Sequence, residues 1–270
     1  MFEAAWDRGA FSLLLSYGDL LLTPEANRLA ADFIRRKIRS TVKDQRVADK
    51  LCPSENLLWA TKRPSVADGY YEAFNRDNVH LVSLKEEPFK QVVESGVETE
   101  SGVYDLDILV LATGFKAMTG ALNNIRIVGR QGRMLHEDWR ENPSTYLGLT
   151  IAGYPNLFTV AGPYSPSVLT SMVTSCEQSV FWIVDCLSHL RDVGIKLIEP
   201  KSDEEQAWVQ HSLECSNATV YKHSKSWYTG YNVDSKNKNF MVYFGGFHNY
   251  KATCDKVAKE GYNQFILTPT

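Results

Sequence analysis

The chain has 270 residues, 44% of them hydrophobic, and a formal net charge of −3, enough to bury the core of one large domain or two small ones. That balance supplies no clustered positive field of the kind that gathers nucleic acid or an acidic membrane surface, so neither is expected as a partner. Five cysteines, Cys52, Cys176, Cys186, Cys215 and Cys254, are odd in number and fall in no C-x-x-C or zinc spacing, which reads as reduced thiols of a cytoplasmic protein and argues against a disulfide oxidoreductase.

The six histidines form no H-E-x-x-H pair, and no metal site is expected. Phe11 to Leu22 is the one apolar stretch near the amino terminus. Tyr17, Gly18 and Asp19 interrupt it, and Glu3 and Asp7 precede it, so it reads as neither a signal peptide nor a membrane span.

The first clear element is an amphipathic helix. Thr23 caps it, Pro24 suits its first position, and Leu29, Phe33, Ile34, Ile38 and Val42 share one face. The cluster Arg35, Arg36, Lys37 and Arg39 reads as its solvated side. From Tyr70 the texture changes to short apolar runs that read as strands: Asn78–Val82, Val97–Tyr104, and Ile108–Ala112. The last is apolar without interruption, the pattern of a strand covered on both faces in a parallel sheet. A second such strand is expected at Leu157–Ala161.

After G-P-Y-S-P-S, a long helix is expected, with Val173, Cys176, Val180, Ile183, Val184, Leu187 and Leu190 at helical spacing and Gly194 as its stop. Strand, turn and helix in that order place a helix amino terminus, with free N–H groups, beside a sheet edge. Further helices are expected around Glu204–Leu213 and Asp255–Glu260, flanking the aromatic stretch Trp227–Tyr250.

Four strings occur in order: T-K-R-P-S-V-A-D-G-Y-Y-E-A-F-N-R-D-N-V, D-I-L-V-L-A-T-G-F, N-L-F-T-V-A-G-P-Y-S-P-S and S-W-Y-T-G-Y-N. With the ending F-M-V-Y-F-G-G-F-H-N-Y and G-Y-N-Q-F-I-L-T, the chain resembles the carboxy-terminal half of type I Baeyer–Villiger monooxygenases of the cyclohexanone and phenylacetone monooxygenase group. The A-T-G string is shared by many two-dinucleotide flavoproteins; the Lys-Arg-Pro and Ser-Trp-Tyr-Thr-Gly strings are far more specific.

The resemblance implies an enzyme in which NADPH reduces FAD, oxygen is activated at the flavin as an anion, and one oxygen atom enters a ketone to give an ester or lactone. By that likeness Arg63 is the catalytic cation and also a cofactor contact. A guanidinium suits the task because it keeps its proton at any working pH. Lys62 resembles the contact to the extra phosphate of NADPH, Trp227 the tryptophan set against the nicotinamide cofactor, and Met172 the point where backbone lies against the flavin. The Tyr164–Thr170 turn is the local contributor expected at the ketone pocket.

The implied fold is α/β, a partial two-dinucleotide-binding flavoprotein. A helical lead-in occupies 1–60, a partial NADP-binding domain 61–107, and the carboxy-terminal part of the FAD-binding domain 108–270. The amino-terminal FAD Rossmann unit is missing: no G-x-G-x-x-G turn occurs, nor the family's F-x-G-x-x-x-H-x-x-x-W signature. Lys116 replaces a usual aspartate, and Asp234-Ser235 a usual Pro-Gly. Two readings follow. In one, the chain is part of a working monooxygenase whose other half comes from a separate chain or a longer sequence. In the other, it is a catalytically inactive remnant acting as a binding or scaffolding piece. Alone, it is expected to bind flavin weakly or not at all.

Overall fold

In the computed structural model, which describes residues 1–9, 11–231 and 238–269, α1 (Phe2–Arg8) and α2 (Pro24–Thr41) open the chain. The α2 start is as the sequence predicts: the Thr23 hydroxyl accepts from the Ala26 amide at 3.4 Å and Pro24 fills the first turn. Phe33 packs with Ala5 and Leu13, and Ile38 and Val42 pack with Ala48 of α3 (Gln45–Leu51).

Two side chains of α2 depart from the expected stripe. Leu29 is 64% exposed, whereas Arg35, expected on the solvated face, is 7% exposed. Its guanidinium donates to the carbonyls of Pro53 and Ser54 at 3.1 and 2.9 Å and pairs with Asp32 at 2.7 Å. Those partners satisfy the charge and make its burial tolerable.

After α4 (Tyr70–Ala73), three strands form an antiparallel meander, β1 (Phe89–Val93), β2 (Gly96–Thr99) and β3 (Gly102–Asp105). The turn into β2 requires glycine, since a Cβ on Gly96 would lie 1.9 Å from the Tyr104 carbonyl oxygen. The expected Val97–Tyr104 strand run is this β2–β3 hairpin.

Three other expected strands are absent. Asn78–Val82 is irregular, with the Val79 amide turned back onto the Arg76 carbonyl at 3.2 Å. Leu157–Ala161 makes one isolated bridge, Thr150 to Phe158, and then breaks at Ala161, whose φ is 51°. Ile108–Ala112 carries no ladder and is exposed throughout, joining neither edge of the β1–β3 meander. All strand pairing among the described residues is antiparallel, where parallel strands were expected.

The chain divides into two compact units, Met1–Gly114 and Phe115–Thr270. The second contains α5 (Gly120–Asn123), α6 (Leu135–Glu141), α7 (Met172–Asp192), β4 (Ile195–Pro200), α8 (Ser202–Asn217), α9 (Phe247–Lys259) and β5 (Phe265–Pro269), with β4 and β5 paired antiparallel. Gly194, at φ 70°, follows α7 and lets the chain turn into β4. α9 begins eight residues before the expected Asp255, taking the end of the aromatic stretch into a helix.

The core of this unit is aromatic, and three of its rings carry their polar edges to backbone carbonyls. Trp182 donates to Cys254 O at 3.0 Å, Trp208 to Tyr164 O at 3.1 Å, and the Tyr250 hydroxyl to Leu147 O at 2.8 Å. α7 has the expected length but turns a different face inward. Trp182, Cys186 and Leu190 are buried, while Val173, Val180, Val184 and Leu187 are exposed.

Candidate functional site

Lys62 and Arg63 belong to the first unit, Met172 and Trp227 to the second. Each group is built by its own surroundings.

The segment leading to Lys62 is fixed by Asn27, a fully buried residue of α2. Its side-chain amide donates to Leu20 O at 2.8 Å and Trp59 O at 2.9 Å, and its side-chain oxygen accepts from the Trp59 amide at 2.6 Å. Ala60 follows at φ 64°, and the Thr61 hydroxyl donates to Leu58 O at 2.6 Å. This tight corner delivers Lys62 and Arg63 to the surface as exposed side chains.

Lys62 stands at a cleft of about 770 Å³ whose walls include Trp6, Phe11, Leu58, Trp59 and Tyr71. The Arg63 guanidinium lies over the Phe11 ring, 4.8 Å from its centroid, within cation–π range. A flat cation resting on an aromatic face is held in orientation by that contact. Phe11, Trp59 and Asn27 were not singled out in the sequence, because each acts over a separation of 30 residues or more.

In the second unit, Met172 is the first residue of α7 and is 42% exposed; its sulfur accepts from the Ser167 hydroxyl at 3.7 Å. The Ser167 carbonyl in turn accepts from the Ser175 hydroxyl at 3.3 Å. The preceding turn holds three non-glycine residues in the left-handed region, Ala161 at φ 51°, Tyr164 at 64° and Ser167 at 42°. Such conformations cost of order 1–3 kcal/mol each and persist where packing over-determines them. The packing is visible at Gly162, where a Cβ would meet Thr159 Oγ1 at 2.6 Å and Gly148 O at 2.8 Å.

Trp227 opens the short 3-10 turn Trp227–Thr229, half-buried and stacked on the buried Tyr228 with ring centroids 3.9 Å apart. The Ser226 amide donates to the Thr229 hydroxyl at 3.1 Å, closing the turn. The Met241 amide donates to Tyr228 O at 2.9 Å, and the Tyr164 amide donates to Met241 O at 2.8 Å. The structure thus ties the Trp227 turn to the strained turn before Met172 through one residue. Asp234-Ser235 lie outside the described residues, and Lys116 is exposed.

The Cys215 sulfur lies 3.8 Å from His211 Nε2, but burial raises the thiol pKa, which disfavours the reactive thiolate. Burial pushes Cys186 and Cys254 up to about 12. Among the described residues, no three His, Cys, Asp or Glu side chains are grouped to hold a metal, and no helix is long and apolar enough to cross a membrane.

No protein-family model matches the chain. Phenazine N-monooxygenase PhzNO1 of Lysobacter antibioticus is 40% identical over 270 residues, covering 99% of this chain and 49% of that protein. A Baeyer–Villiger monooxygenase of Pseudooceanicola batsensis is 37% identical over 273 residues, covering 100% and 49%. The closed crystal structure of cyclohexanone monooxygenase matches with a TM-score of 0.94 at 39% identity, covering 100% of this chain and 50% of that one. A crystal structure of OTEMO in complex with FAD and NADP matches with a TM-score of 0.92 at 35% identity, covering 99% and 49%. The chain therefore spans about half the length of the curated relatives it matches. By sequence and by structure it is the counterpart of the carboxy-terminal half of a Baeyer–Villiger-type flavoprotein monooxygenase.

Proposed function

We propose that this chain supplies the Lys62–Arg63 cation pair and the Trp227 turn to an FAD- and NADPH-dependent monooxygenase of the cytoplasm. That enzyme inserts one oxygen atom of O2 beside a ketone carbonyl to give an ester or lactone. It works with a polypeptide equivalent to the other half of the relatives. In this assignment residues 1–60 are the helical lead-in, 61–107 part of the NADP-binding domain and 108–270 part of the FAD-binding domain.

The observation that carries the reading is the Arg63 guanidinium stacked on Phe11, next to Lys62 at the aromatic cleft. The residues present fit the cofactors in part. Lys62 is an exposed ammonium able to pair with a phosphate dianion, and Trp227 offers a half-exposed ring that Tyr228 backs from behind. A dinucleotide pyrophosphate needs a glycine-rich turn between strand and helix, and the chain has no G-x-G-x-x-G string. FAD would thus be held mainly by the other half.

When bound, FAD reduced by NADPH supplies the activated oxygen. This chain's part is electrostatic and positional: Arg63 holds a fixed positive charge toward a developing anion, and Lys62 anchors the nucleotide.

The test is co-expression with the complementary half of the Lysobacter relative, followed by incubation with FAD, NADPH, 18O2 and either cyclohexanone or phenazine. One 18O atom in a lactone supports the proposal. Label in an N-oxide alone would move the reaction to nitrogen oxygenation, the activity in that relative's name. A complex that binds neither cofactor and converts neither substrate would favour the inactive scaffolding piece.

A further inference from the structure

Helix α8 carries a pair of metal-ligating side chains that the functional reading does not use. His211 and Cys215 are four residues apart, one helical turn, and share a face. Their Nε2 and Sγ atoms lie 3.8 Å apart. The Tyr243 hydroxyl comes to within 3.4 Å of the same Nε2, so nitrogen, sulfur and oxygen donors converge on one spot of the second unit. His211 is exposed and Cys215 half-buried, which leaves that spot open to solvent.

Tyr243 is fixed there by packing. Its ring stacks on Trp208 with centroids 4.9 Å apart, its amide donates to Ser165 O at 2.9 Å, and its hydroxyl passes where a Cβ on Gly245 would stand. Hydrogen bonding alone leaves the cluster unfinished. One imidazole nitrogen offers a single lone pair or a single proton, which cannot fully serve a thiol and a phenol together.

The spacing suits a metal ion. A tetrahedral Zn2+ with sulfur at about 2.3 Å and imidazole nitrogen at about 2.05 Å holds those two atoms about 3.6 Å apart. The 3.8 Å between Nε2 and Sγ is within about 0.2 Å of that separation. Both residues lie in the last two turns of α8, whose carboxyl end carries partial negative charge. Thiolate and imidazole together favour a borderline-soft cation over Mg2+ or Ca2+, which take oxygen ligands.

We propose that His211 Nε2 and Cys215 Sγ are ligands of a divalent cation of the Zn2+ class, with the Tyr243 hydroxyl and water completing the tetrahedron. Cys215 gives its thiol proton to solvent as the sulfur–metal bond forms, and the ion keeps its oxidation state. A coordinated divalent ion removes that proton even where burial holds it more tightly. The site lies wholly within the second unit and is independent of the monooxygenase reading.

The test uses this chain freed of metal by a chelator and kept reduced with a phosphine. Co2+, a spectroscopic stand-in for Zn2+, should give a thiolate-to-metal charge-transfer absorption that saturates near about one equivalent and disappears when Zn2+ is added. In calorimetric titration with Zn2+, His211→Ala and Cys215→Ser should each bind at least about tenfold more weakly, with the circular dichroism of both unchanged. Cys52→Ser and Cys176→Ser, at the other two half-buried cysteines, should bind as the parent does. Absence of the charge-transfer absorption, its survival in Cys215→Ser, or equal Zn2+ affinity in the parent and His211→Ala would overturn the proposal. So would loss of binding in Cys52→Ser or Cys176→Ser, which would place the ion on another thiol.

Discussion

The guanidinium of Arg63 rests on the ring of Phe11, 52 positions earlier in the chain, at 4.8 Å from the ring centroid. A contact of this kind at an exposed site is worth about 0.5–1 kcal/mol. Phe11→Leu should therefore slow oxygenation by the assembled protein by about two- to fivefold, with Phe11→Tyr close to the parent. Nucleotide affinity measured by titration should stay the same in both. An unchanged rate in Phe11→Leu would show that the ring does not steer the cation.

Asn27 is expected to matter for stability through Trp59. Replacing it with alanine leaves two carbonyls and one amide without their partner, and each buried group so stranded costs about 1–3 kcal/mol. Urea unfolding should show Asn27→Ala less stable by at least about 2 kcal/mol. A loss under about 0.5 kcal/mol, the range of a neutral surface change, would mean that the corner before Lys62 is held by other contacts.

How much of this was legible beforehand depended on the range of the contact. The α2 cap, Thr23 with Pro24, is local, and the sequence announced it. The strand character of Val97–Tyr104, though not the turn that splits it into a hairpin, and the length of α7 were readable for the same reason. Arg35 was misplaced because its partners, the Pro53 and Ser54 carbonyls, lie 18 and 19 residues away. The α7 stripe and Ile108–Ala112 misled in another way: their apolar pattern encodes burial, but nothing in their own units covers them. Lys62, Arg63, Met172 and Trp227 came only from resemblance of the strings that contain them. Periodicity gave no hint of the Arg63–Phe11 stack or of the link from Trp227's turn through Met241 to Tyr164.

Lys62 should set the choice of nucleotide. In the assembled protein, Lys62→Ala is expected to weaken NADPH binding by about 10- to 100-fold, the value of a hydrogen bond to a charged group, and to leave NADH binding nearly unchanged. Calorimetric titration with both nucleotides measures this. Equal losses for the two would assign Lys62 to some part of the nucleotide other than the extra phosphate.

Glu205 gives the second unit a pH signature. Its carboxylate is buried and accepts from the Ser144 hydroxyl and the Ala152 amide, both at 2.7 Å; burial raises its pKa, and those bonds partly offset the rise. A carboxyl with a raised folded pKa favours the fold below its unfolded value, and that contribution is lost as pH climbs through the folded value. Glu205→Gln should remove this dependence. The stability of the parent relative to the variant is expected to fall as pH rises from about 4.5, measured by urea unfolding at a series of pH values. A constant difference across that range would mean that Glu205 titrates as it does in the unfolded chain.

The proposed service of a permanent positive charge at position 63 to oxygen insertion can be tested at that residue. The most direct measurement compares the parent with Arg63→Ala, each assembled with the complementary half, FAD and NADPH, following flavin reduction and lactone formation from cyclohexanone in the same samples. Arg63→Ala is expected to assemble but to form no lactone. Lactone produced by Arg63→Ala at the parent's rate would contradict it.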